Sequence, residues 1–128
     1  RNQTEEATFV EERKPRLALI NRSQDAFAKS LEAYLKKTNE IVDAGTDEKA
    51  WNASIFRDKV DYVLVIPETF RFPETGSRLD VQTFVSKNDT PVQVLDRQIA
   101  LYATSYRLFD SHIPSSVQGS ERSDFLES

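Results

Sequence analysis

The 128-residue chain has no cysteine, no methionine, one histidine and three glycines, and each scarcity removes a class of chemistry. Without cysteine there is no disulfide, no thiol nucleophile and no thiolate metal site. With His112 as its one imidazole, the chain supplies neither a histidine metal cluster nor the base of a catalytic dyad with an imidazole partner. Gly45, Gly76 and Gly119 lie far apart, which excludes a phosphate-binding P-loop and a dinucleotide fingerprint. The longest apolar run, Tyr62 to Ile66, is far short of the ~20 residues that span a bilayer. No charged segment leading into an apolar one marks a secretion signal. Basic residues are scattered, with no run longer than Lys36-Lys37, and 17 of them face 21 acids, a net charge of −4. That balance excludes recognition of nucleic acid, or of an anionic lipid surface, by charge. A chain that begins at Arg1 and lacks methionine is expected to be a segment of a larger protein.

What is present suits one folded domain: 38% hydrophobic residues are too many for a disordered chain, and 30% charged residues coat an ordinary surface. Residues 1–15, with Glu5, Glu6, Glu11 and Glu12 around Phe9 and Val10, read as a solvated lead-in or short helix. A buried strand over 16–21 then feeds a helix over about 24–37, with Ser23 as N-cap and Phe27, Leu31, Tyr34 and Leu35 on one face. Ile41 and Val42 form a short strand. Thr46 caps a second helix packed through Trp51, Ile55 and Phe56. Val60 to Ile66 is the clearest element, a β-branched and aromatic run that does not alternate and so belongs at the centre of a sheet, ended by Pro67. Residues 79–86 alternate and read as an edge strand, and Thr90-Pro91 opens the longest helix, apolar at Val92, Leu95, Ile99, Tyr102, Tyr106 and Phe109. Ile113 and Pro114 break it, and the serine-rich segment 113–128 is expected to be mobile. The reading is an α/β fold, a β-α-β-α-β-β-α sandwich whose four-stranded mixed sheet has the order 2-1-3-4, within a single domain over 16–112.

Candidate chemistry is thin. Asp43, Asp61 and Asp80 lie at strand ends where a divalent cation site is conceivable, but ordinary solvation accounts for all three, and no metal or other cofactor is expected. Trp51, Tyr34, Tyr62, Tyr102 and Tyr106 fall at core spacing, which favours packing over a carbohydrate platform. Between Thr69 and Ser77, Phe70 and Phe72 flank Arg71; they either dock on the last helix or present a partner surface. Asn2, Asn21, Asn52 and Asn88 each begin an Asn-x-Ser/Thr pattern, which also serves turns and caps. No nucleophile stands beside a recognisable base, so the chain is not expected to be an enzyme.

The segment Val60-Asp61-Tyr62-Val63-Leu64-Val65-Ile66-Pro67-Glu68-Thr69-Phe70 resembles a stretch characteristic of type-2 ABC exporter permeases, a strand of the form D-Y-V-L-V-I-P followed by a turn and Phe. Arg16 to Asp25 looks like that family's first strand and polar turn, Leu31, Tyr34 and Leu35 like its following helix, and Leu79 to Ser86 like its next strand. The likeness covers about residues 16–110. It departs from the family pattern between Phe70 and Leu79, where a Gly or Lys after Pro and a longer amphipathic turn are usual. The resemblance implies a domain inserted between the first two transmembrane helices, outside the cytoplasmic membrane of a bacterium. It further implies a separate cytoplasmic ATP-binding subunit and a second permease copy as partners, contact with the membrane through flanking spans alone, and a role in cargo recognition, gating or assembly. A rival reading is an extracytoplasmic small-molecule-binding or sensor module. The expected ligand or partner surface lies at the strand carboxyl ends: Asn21, Pro67, Phe70, Arg71 and Phe72.

Overall fold

Tyr62 to Ile66 are all shielded from solvent, and the other elements are arranged to shield them. The computed structural model describes residues 14–73 and 78–110. In chain order these form β1 (Arg16–Asn21), α1 (Ala26–Thr38), β2 (Glu40–Ile41), α2 (Glu48–Phe56), β3 (Tyr62–Ile66), β4 (Gln82–Val85) and α3 (Asp89–Asp110). The sheet order is β2-β1-β3-β4; β1 runs parallel to both β2 and β3, and β4 antiparallel to β3. This is the mixed α/β sheet the sequence pattern implies. The lead-in over 1–13, the loop residues 74–77, His112, the helix break at Ile113-Pro114 and the 113–128 tail lie outside the described residues.

The register places Leu17 opposite Tyr62 and Leu19 opposite Leu64. Tyr62, Leu64 and Ile66 pack with Leu17 against Phe27, Leu31 and Leu35 of α1 and Leu95, Ile99, Tyr102 and Tyr106 of α3. The alternate residues Val63 and Val65 join Ala18, Val60 and Trp51 of α2 in a second cluster on the opposite face. Burial on both faces explains why the strand's sequence is apolar without alternation. On the outer face of α3, Val94, Leu101 and Leu108 recur at intervals of seven and are exposed.

The helix starts differ from the expected ones by a short step. Asp25 caps α1, its carboxylate accepting from the Phe27 N–H at 3.1 Å, while the Ser23 hydroxyl accepts from the Asp25 N–H at 3.0 Å. Asp47, not Thr46, caps α2 through the Ala50 N–H at 2.9 Å. Both differences have one cause: hydroxyl and carboxylate both serve as N-caps, and the helices begin at Ala26 and Glu48, which puts Asp25 and Asp47 in the cap position. Ahead of α2, Gly45 has φ 99°, and a Cβ there would come within 2.4 Å of the Ala50 Cβ, so the tight turn requires glycine. Trp51 packs as expected and donates its indole N–H to the Gly45 carbonyl at 2.9 Å, but Phe56 is 89% exposed and packs on nothing. Lying five residues on from Trp51, Phe56 falls on the solvent side of a helix that buries one narrow stripe. The second strand occupies Glu40–Ile41, a residue earlier than expected, and β4 pairs over four residues rather than the expected eight.

Asp61, read from sequence as solvated, is 4% exposed. Its Oδ2 accepts the Arg16 backbone N–H at 2.9 Å and the Arg16 Nε–H at 3.2 Å. Its Oδ1 accepts from Arg16 Nη2 and from Asn88 Nδ2, both at 2.9 Å. Asp61 is therefore a junction joining the starts of β1 and β3 to the turn before α3. Burial pushes its carboxyl pKa up, but the bonds from Arg16 and Asn88 outweigh that and hold it below the ordinary carboxylate value.

Two outcomes follow. Leu64→Ala, which opens a void at the sheet centre, lowers stability by about 2–5 kcal/mol in denaturant titration. Because the Asp61 pKa is lowered by folding, its contribution is present above the unfolded value of about 3.9 and is lost as pH falls through the folded one. Asp61→Asn therefore gives a less stable protein at neutral pH whose stability falls less steeply below about pH 4, read from urea titrations across that range.

Candidate functional site

Side chains from separate elements converge at two places on the surface. The first is the carboxyl end of β1 and β3. Arg22 donates its backbone N–H to the Ile66 carbonyl at 2.9 Å, holding the two strand ends together. The Asn21 side chain closes a local turn by accepting the Ser23 N–H at 2.9 Å and donates to Glu32 Oε1 at 3.0 Å. The Ser23 hydroxyl donates to the Phe70 carbonyl at 3.2 Å. Burial pushes the Glu32 pKa up, yet hydrogen bonds from Asn21 and Lys36 bring it below the ordinary value, so Glu32 stays ionised beside the turn.

The structure brings Asn21, Pro67 and Phe70 together but does not leave them equally accessible. Phe70 is 1% exposed, with its ring 6.2 Å from that of Phe27. Phe72 is half-buried, its ring 4.3 Å from that of Phe27 and tilted to it by 33°, and edge-on to Tyr106 at 5.2 Å. Both aromatics thus dock on α1 and α3. Pro67 is half-buried, and Arg71 is exposed and donates to the Phe70 carbonyl at 2.7 Å. Among the Asn-x-Ser/Thr positions, the amides of Asn21 and Asn88 are engaged as donors, Asn52 is exposed on α2, and Asn2 lies outside the described residues.

The second place is an open groove of about 300 Å³ between β4 and α3, which sequence reasoning missed. It exists because α3 packs on the β1–β3 side through Leu95, Ile99, Tyr102 and Tyr106, leaving the same face of β4 without a helix above it. Val81 and Thr83 line its strand side; the short side chains of Ala100 and Ala103 line its helix side. At one end Tyr62 donates its hydroxyl to Asp96 Oδ1 at 2.6 Å. Burial and the adjacent Asp96 carboxylate push the Tyr62 pKa up, so the phenol remains a protonated donor. At the other end are Arg78 and Arg107. The Arg107 guanidinium lies 5.0 Å over the Phe72 ring, and its Nε is buried with no acceptor among the described residues. A buried unsatisfied donor costs about 1–3 kcal/mol. The sequence signal was slight: Ala100, Ala103, Thr104 and Arg107 share one side of α3 at helical spacing, but only the placement of α3 over the sheet shows that a groove opens there.

Among the described residues, no three His, Cys, Asp or Glu side chains are grouped to hold a metal ion, and no helix is long and apolar enough to cross a membrane. No protein-family model, curated protein or solved structure matches the chain.

The burial of the Phe70 loop has a direct check. Phe70→Ala destabilises the fold by about 3–5 kcal/mol, whereas Arg71→Ala next to it changes stability by less than about 0.5 kcal/mol, both measured by urea titration.

Proposed function

We propose that the chain is the extracytoplasmic domain of an exporter permease of the type-2 ABC class. One observation carries the reading: the segment from Val60 to Phe70, which resembles that family's D-Y-V-L-V-I-P stretch, is the central buried strand followed by a turn that returns Phe70 to the core. The strand and polar turn at Arg16 to Asp25 stand directly beside it. The resemblance thus falls on residues that share one structural unit.

On this reading the domain carries out no chemistry of its own. It recognises cargo, gates its passage or assists assembly at the outer face of a bacterial cytoplasmic membrane. Transmembrane spans on both sides tether it, a separate cytoplasmic subunit hydrolyses ATP, and a second permease copy lies alongside. Movement of the spans reorients the domain as a body, a rigid-body transition of the kind that packed domains undergo. A second reading, an extracytoplasmic ligand-binding or sensor module, draws support from the groove between β4 and α3, which runs from Tyr62 to Arg107 beside Phe72.

The absence of cysteine supplies a test. In a cysteine-free version of the full-length protein, Lys49→Cys, on the exposed side of α2, is labelled by a membrane-impermeant maleimide in intact cells, and the protein stays in the membrane pellet after alkaline carbonate washing. Labelling that needs permeabilised cells overturns the extracytoplasmic placement. Release by carbonate overturns the exporter reading and favours the second one.

A further inference from the structure

We propose that the groove between β4 and α3 is a binding site for a small amphiphile with a carboxylate head and an unbranched apolar body, the head seated at Arg107. The site goes beyond the exporter reading and does not depend on it. Three features of the groove point to this ligand class.

The first is the lining. Val81, Ile99, Ala100 and Ala103 present an apolar trough, and its volume of about 300 Å³ stands at the lower end of the range for small-molecule sites. Such a trough takes a slender apolar body and has no room for a macromolecular side.

The second is the distribution of charge. Asp96 and Arg107 lie on the same helix, roughly 16 Å apart along its axis from the rise per residue. The Asp96 end is anionic and holds the Tyr62 hydroxyl, which repels an anionic head. The opposite end holds two guanidinium groups, Arg78 and Arg107, and no described carboxylate pairs with either. In a chain of net charge −4, cations left without a carboxylate at one end of an apolar trough give an anionic amphiphile one orientation.

The third is the state of Arg107 itself. Its guanidinium is held over Phe72, and its buried Nε–H has no acceptor among the described residues. Turning the guanidinium off the Phe72 ring opens that donor, and a carboxylate then satisfies it and its neighbouring Nη–H together, in the side-by-side geometry that guanidinium groups favour.

The test uses the full 128-residue chain and decanoate below its micelle-forming concentration, with amide shifts in 15N spectra as the readout. The expected result is saturable shifts at Val81, Ala100, Thr104 and Arg107, with decanol and acetate each binding about tenfold or more weakly because one lacks the head and the other the body. Arg107→Gln weakens decanoate binding by about tenfold or more while leaving decanol unaffected. Ala100→Phe, at an exposed helix position, fills the trough and removes binding of both, and thermal unfolding of each variant confirms that it is folded. The absence of saturable shifts in the groove, equal binding of decanol and decanoate, or unchanged binding by folded Arg107→Gln overturns the proposal.

Discussion

The need to bury β3 on both faces governs the rest of the structure, because its side chains alternate between two apolar clusters that a single layer cannot cover. Each fully buried side chain of this size contributes about 1.5–3 kcal/mol, so leaving either face open forfeits several times that amount. The chain meets the requirement with α1 and α3 on one side and α2 on the other. Because β1 and β3 run parallel, the path between them must cross over rather than turn back, and the segment α1–β2–α2 is that crossover. The direct antiparallel partner, β4, then closes the other side of the strand.

Polar junctions pin both ends of β3. At its start, Asp61 gathers Arg16 and Asn88, so one carboxylate sets the register of β1 and the entry to α3. At its end, the turn formed by Asn21 and Ser23 holds the Phe70 carbonyl and brings the Phe70 ring into the core. Between these pins α3 is drawn towards α1, where the Ser30 and Tyr102 hydroxyls bond each other and the Tyr34 and Tyr102 rings stack at 4.7 Å. The groove beside β4 is the geometric consequence: α3 buries its apolar side against β1, β3 and α1 and leaves the matching face of β4 uncovered.

Much of this was legible in the sequence where one physical effect dominates. The unbroken apolar run at Val60 to Ile66 calls for a central strand, and the expected order 2-1-3-4, which places it between two neighbours, is the one observed. Caps were displaced by one or two residues because hydroxyls and carboxylates sit side by side at Ser23/Asp25 and Thr46/Asp47, and the choice between them depends on where the turn ends. Asp61 was misread because its partners are 45 and 27 residues distant, and nothing local distinguishes a paired carboxylate from a solvated one. Phe56 was misread because its apolar character was weighed above its spacing, which turns it away from Trp51 to the solvent side of the helix. The groove was illegible for a related reason: Arg107 and Ala100 reveal a shared helix side, while the gap opposite them depends on where α3 packs on the sheet.

Under the exporter reading proposed above, a domain packed around one central strand is moved as a unit by the spans that tether it. The most direct measurement is the encoded sequence on either side of Arg1 and Ser128. The account predicts one apolar span of ~20 residues upstream and several downstream. A cleavable secretion signal upstream with no downstream span contradicts it.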